Sequence, residues 1–180
     1  MRSIDIPQAN QIARVLAALA ALGDGCATAA QIAVALGGLD PRHGDYYLHA
    51  LRILGLADYA GGQALRTTLG AQLAALPAEA QRLRLRVLVA GTSPMREVLA
   101  AIDAAAPAGC TLDELATLVQ RLAPLSAATA RRRAQAMLAW LHDLQLAAPA
   151  GGRWRRVVDQ QLEESDPAVA VWLRECGVAR

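Results

Sequence analysis

The segment Leu56-Ala57-Asp58-Tyr59-Ala60-Gly61-Gly62-Gln63-Ala64-Leu65-Arg66 returns half a chain length later as Leu146-Ala147-Ala148-Pro149-Ala150-Gly151-Gly152-Arg153-Trp154-Arg155-Arg156. Each copy reads as a strand, a Gly-Gly turn and a returning strand. Upstream, Thr28-x-x-Gln31 is answered by Thr111-x-x-Glu114, and both are capping boxes that open a helix. A repeat this long is too large for a solenoid and fits two small domains in tandem.

The chain has 180 residues and 54% hydrophobic content, enough for one core or two small ones, and no stretch of low complexity. Its apolar residues are mostly Ala, Leu and Val, with no Phe, which favours helix over sheet. A soluble, mainly helical fold is expected. Copy one predicts helices from Pro7 to Leu22, Thr28 to Leu36 and Pro41 to Leu54, then the hairpin, then helices ending at Leu76 and running from Ala78 to Val89. Copy two predicts helices Pro94 to Ala106, Thr111 to Leu122 and Ser126 to Leu144 before its hairpin. Arg14 followed by Val15 to Leu22 loosely imitates a signal-peptide apolar region, but polar residues precede it and the pattern recurs from Val98 to Ile102, so it reads as a core helix. No charge-free apolar run reaches the length of a membrane span.

Three helices followed by a two-stranded hairpin is the order of a winged helix, a helix-turn-helix variant whose third helix enters the DNA major groove. The fold class expected is therefore mainly α with small β-hairpin wings, as two tandem winged-helix domains. Gly91-Thr92-Ser93-Pro94 combines turn formers ahead of a new apolar period. It divides the chain into domain 1 at 1–90, domain 2 at 91–158 and an acidic tail at 159–180 with a short amphipathic helix, Pro167 to Cys176.

Asp40-Pro41-Arg42-His43-Gly44-Asp45-Tyr46-Tyr47-Leu48-His49-Ala50-Leu51-Arg52-Ile53-Leu54-Gly55-Leu56, followed by Thr68-x-Gly70, resembles many bacterial winged helices. Thr129-Ala130-Arg131-Arg132-Arg133-Ala134-Gln135-Ala136-Met137-Leu138-Ala139-Trp140-Leu141 is similar to a segment of the DNA-recognition modules of restriction endonucleases built from tandem winged helices. The resemblance covers about residues 6 to 158. It implies a target-reading module that in such enzymes is joined to a separate cleavage domain, for which this chain has no room.

The 18 basic residues are all Arg, against 16 acids, for a net charge of +2. The absence of Lys excludes a Walker A lysine, a Schiff-base lysine and the lysine of the common restriction-nuclease core. Seven Arg (121, 131, 132, 133, 153, 155 and 156) against Asp143 alone make residues 121–156 the positive segment of the sequence. On the third helix of copy two, Ala130, Ala134, Met137, Leu138, Leu141 and Leu144 follow the spacing of a buried face, which pushes Arg131, Arg132, Arg133 and Gln135 outward near the helix start. Arg matches guanine and Gln matches adenine in the major groove. Ser126 and Thr129 would meet phosphate at the helix N-terminus, and Arg153, Arg155 and Arg156 would extend the surface along the wing.

In copy one Tyr47, Leu48, Leu51 and Leu54 form the buried face, leaving Arg42, His43, Asp45, Tyr46, His49 and Arg52 outside. Arg42, His43, Tyr46 and Arg66 are its DNA-contact candidates. Arg82, Arg84 and Arg86 read as phosphate contacts or as solubilising charge, and Trp154 either inserts toward DNA or packs on its own helices. Cys26, Cys110 and Cys176 show no metal or redox spacing and read as free thiols in a reducing cytoplasm, Cys26 and Cys110 as small packing residues. No phosphate loop, HExxH or grouped Ser, His and acid is found, so no catalytic centre, metal or cofactor is expected.

The function expected is sequence-specific binding of double-stranded DNA as the recognition part of a restriction-type system, by a monomer or homodimer acting with a nuclease domain or subunit. The alternatives are a tandem winged-helix subunit that assembles protein complexes, which the near-neutral charge favours, and a transcription regulator dimerising through the tail.

Overall fold

The computed structural model describes residues 1–157; the acidic tail and its expected helix lie outside the described residues. Copy one contains α1 (Ile12–Leu22), β1 (Cys26–Thr28), α2 (Ala29–Ala35), α3 (Pro41–Ile53), β2 (Ala57–Ala60) and β3 (Gln63–Arg66). Two further helices follow, α4 (Thr68–Ala74) and α5 (Ala78–Gly91). Copy two contains α6 (Ser93–Ala104), α7 (Leu112–Leu122), α8 (Ala127–Asp143), β4 (Ala147–Ala150) and β5 (Arg153–Arg156). The fold is mainly helical with small antiparallel sheets, as the composition predicts.

Both capping boxes close. The Thr28 hydroxyl accepts from the Gln31 amide while the Gln31 side chain accepts from the Thr28 amide, and Thr111 and Glu114 repeat the arrangement. Asp40 and Ser126 cap α3 and α8. Both hairpins turn through Gly pairs with positive φ, 60° and 77° at Gly61 and Gly62, 60° and 73° at Gly151 and Gly152. Two consecutive positive φ values match the twist of the strands they join, and a side chain would strain them.

The strand β1 was not foreseen, because three residues are too few to show alternation. It pairs antiparallel with β3, Ala27 opposite Ala64, to give the sheet order β1-β3-β2. In copy two the equivalent contact is one bridge, Cys110 opposite Trp154, beside the β4–β5 ribbon. The first expected helix starts later than Pro7, since 6–11 runs without helical structure before α1 and a short 3-10 turn occupies Ser3–Asp5.

The expected linker at Gly91–Pro94 is one non-helical residue. Thr92, with φ −69° and ψ 143°, ends α5 and caps α6, and Pro94 is accommodated in the first turn of α6. The two copies are thus joined by a corner. Their buried side chains, from Ile6 and Leu19 through Leu85 and Val89 to Trp140 and Leu146, form one connected cluster. Each such Leu, Ile or Val contributes roughly 1.5–3 kcal/mol by leaving water.

α5 is also tied to copy two by charge. Arg82 donates to the carbonyl of Asp143 (3.1 Å) and the buried Arg86 to that of Gln145 (3.5 Å), so both bring positive charge to the C-terminal end of α8. Those two arginines bond carbonyls at a helix end, a role that neither expectation for them, phosphate contact or solubilising charge, included. Cys110 is buried and donates to the Ala101 carbonyl, whereas Cys26 is exposed and is not the packing residue expected; Cys176 lies outside the described residues. Among the described residues no helix is long and apolar enough to cross a membrane.

α2 and α3 touch through Gly44, where an added Cβ would stand 2.0 Å from the carbonyl oxygen of Ala29. Gly44→Ala should therefore lower stability in urea unfolding by about 3 kcal/mol, the upper end of the usual cost of overpacking. Gly91→Ala, which meets nothing within 4 Å, should leave it unchanged or slightly raised.

Candidate nucleic-acid interface

The third helices of the two copies supply most of the candidate residues, and each is amphipathic for its own reason. In α3, Tyr47, Leu48, Leu51 and the following Leu54 are buried as the spacing predicts. Arg42 and His43 are exposed at its start, and Asp45, Tyr46, His49 and Arg52 are half-buried. In α8, Ala130, Ala134, Met137, Leu138 and Leu141 are buried as expected, but so is a second stripe, Arg133, Ala136 and Trp140. α8 is therefore covered on two sides, and only Arg131, Arg132 and Gln135 of its four outward candidates are exposed.

Arg133 is the correction. It is 7% exposed and its guanidinium donates to the backbone carbonyl of Ile6. Burial, aided by the nearby Arg132 charge, lowers its pKa from the ordinary arginine value, while Tyr46 acts in the opposite direction. The spacing of Ala136 and Trp140, three and seven residues on, was the available sign that position 133 faces inward.

A second arginine grips the same N-terminal segment from copy one. Arg52 donates to the Ile4 carbonyl (2.9 Å) and to the Asp5 carboxylate (3.3 Å), and Arg2 also reaches Asp5. Burial pushes the Asp5 carboxyl up, but hydrogen bonds from Arg2 and Arg52 outweigh it and leave it below the ordinary value. Just beyond the two clamps the chain runs along a groove of about 380 Å³. One wall comes from α3 (His43, Tyr46, Tyr47), the other from α8 (Arg132, Gln135, Ala136, Ala139), and Gln8, Ala9 and Asn10 complete it. Sequence reasoning missed Gln8 and Asn10, which no periodicity marks.

On the α3 wall, the Arg42 guanidinium lies 5.7 Å from the Tyr46 ring centre, and His43 meets that ring edge-on. Behind them His49 sits against Asp45 (3.6 Å) and edge-on to Tyr59, whose hydroxyl donates to Asp45. Burial lowers the His49 pKa; Asp45 opposes this, and Arg52 and Arg133 add to it. Burial and the Asp45 carboxylate push the Tyr59 hydroxyl up to about 12.

The remaining candidates have partners the sequence did not show. Arg131 pairs with Asp113 at the start of α7. Arg153 donates to the Gly109 carbonyl (2.9 Å) and pairs with Glu114 (3.1 Å), and Arg156 pairs with Asp103 (3.4 Å) in the last turn of α6. Arg66, in the matching position of copy one, donates to the Leu19 carbonyl (2.9 Å) at the end of α1 and reaches Asp24, so it braces the fold where DNA contact was expected. Ser126 and Thr129 bond each other in the cap of α8, with Arg132 3.5 Å from the Thr129 hydroxyl. Trp154 packs edge-on against His142. Arg121, Arg132 and Arg155 are exposed and form no ion pair among the described residues. The positive field of 121–156 is therefore partly neutralised by acids that α6 and α7 carry to it.

Comparison with known protein families, with curated proteins and with solved structures returned no match.

Two outcomes follow from this geometry. Arg133→Met strands the buried Ile6 carbonyl and should lower stability by about 1–3 kcal/mol in urea unfolding, while Arg131→Ala, which breaks an exposed pair, should cost about 0–1 kcal/mol. Because the folded-state pKa of His49 lies below its ordinary 6.5, the unfolded chain takes up that proton more readily. The contribution should be complete above pH 6.5 and drain away as pH falls through the folded pKa; thermal melts from pH 7.5 to 5 should show a slope that His49→Gln flattens.

Proposed function

We propose that this chain binds double-stranded DNA sequence-specifically through two winged helices, as the recognition module of a restriction-type system whose cleavage centre belongs to another domain or subunit. The observation that carries the reading is the meeting of α3 and α8 around one groove. His43, Arg132 and Gln135, all exposed, line it from the first halves of the two helices, and Arg42 is exposed beside His43 at the start of α3. The order helix, strand contact, helix, helix, hairpin recurs in both copies and is the order of a winged helix. The base contacts are assigned to Arg132, Gln135, His43 and Tyr46, and phosphate contacts to Arg42, Arg155 and the cap residues Ser126 and Thr129. Arg131, Arg153 and Arg156 reach phosphate only by exchanging their carboxylate partners.

The second reading is a protein-assembly subunit. It is favoured by one observation, the pairing of Arg131, Arg153 and Arg156 with Asp113, Glu114 and Asp103, which removes much of the charge a DNA surface uses.

The test is retention of a random duplex pool across a salt series. A DNA module should lose affinity log-linearly with salt, and Arg155→Ala should reduce the slope by about 0.9, one phosphate contact. Arg132→Ala should also change the selected motif. No retention of duplex at low salt would overturn the DNA reading in favour of the assembly subunit.

A further inference from the structure

Three carboxamides from two distant parts of the chain line the groove between α3 and α8: Gln8 and Asn10 before α1, and Gln135 on α8. None of them has a hydrogen-bond partner among the described residues. Elsewhere in the fold such groups are used, as Gln31 is in its capping box. A carboxamide presents an N–H donor and a carbonyl acceptor side by side, the complement of the N6 amino group and N7 of adenine. No Asp or Glu lines the groove, so no carboxylate there would repel phosphate. The space exists because Ala9, Ala136 and Ala139 have short side chains, and its volume is that of a small-molecule site.

We infer that this groove is a composite reading site for adenine in DNA, in which Gln8 and Asn10 of the N-terminal segment contact base edges beside Gln135. Arg52 and Arg133 act as positioning residues. One from each copy, they hold the carbonyls of Ile4 and Ile6 and so fix the segment that presents Gln8 and Asn10. The inference rests on the DNA-binding reading and adds to it a third reading element outside both third helices.

The experiment is selection of bound sites from a randomised duplex pool by the full chain and by the Gln8→Ala/Asn10→Ala double variant. Neither side chain has a hydrogen bond to lose among the described residues, so the variant should melt with the wild type. The wild type should select a motif containing A·T pairs. The variant should bind the pool with the same salt slope but lose about 5- to 100-fold of the preference for adenine at one or two of them. Replacing adenine by 7-deazaadenine at those positions should reproduce the loss with the wild type, because the N7 acceptor is gone. A variant that selects the wild-type motif, or a wild type whose own motif contains no A·T pair, overturns the inference and leaves DNA binding standing. Failure of the wild type to retain any duplex overturns both.

Discussion

A guanidinium taken out of water is expensive, and Arg133 is placed in the interior with a backbone carbonyl as its hydrogen-bond partner. Much of the arrangement around it depends on that contact. It pins Ile6 against α8, and Arg52 pins Ile4 against α3, so the N-terminal segment is held by both copies at once. With the segment fixed, α3 and α8 become opposite walls of one groove. Arg is suited to such a position because its planar fork is weakly hydrated and keeps its charge.

The repeat in the sequence reappears as repeated mechanics. Both capping boxes, both Gly-Gly turns and both arginines at the ends of the hairpins do matching work, Arg66 at the end of α1 and Arg156 at the end of α6. Positive charge at the C-terminal end of the first helix is favourable in either copy. The copies still differ in ways that bear on function. Copy one has a three-stranded sheet and holds the aromatic and histidine side chains of the groove. Copy two reduces the first strand to one bridge and groups most of its arginines on its third helix and its hairpin.

Part of the positive charge of copy two is opposed or withdrawn. α6 and α7 bring Asp103, Asp113 and Glu114 to three of the arginines, and Arg133 is withdrawn from the surface. A surface of this kind gains little from long-range attraction to a polyanion.

The sequence by itself determined the helices, the hairpins, their caps and the repeat. These depend on residues three or four apart, or on turn residues with one allowed conformation, as at Thr28 and Gln31 or Gly61 and Gly62. It also placed Leu48, Leu51, Met137 and Leu141 in the core, because helical periodicity is local. Helical spacing with Ala136 and Trp140 marks position 133 as inward, but only the tertiary structure decided what meets its guanidinium, a carbonyl at Ile6 from the opposite end of the chain. It alone brought β1 to β3, placed Asp113 beside Arg131, and set Gln8 and Asn10 beside Gln135. Ion pairs and groove walls form between residues that are near in space and far in sequence, and no local pattern encodes them.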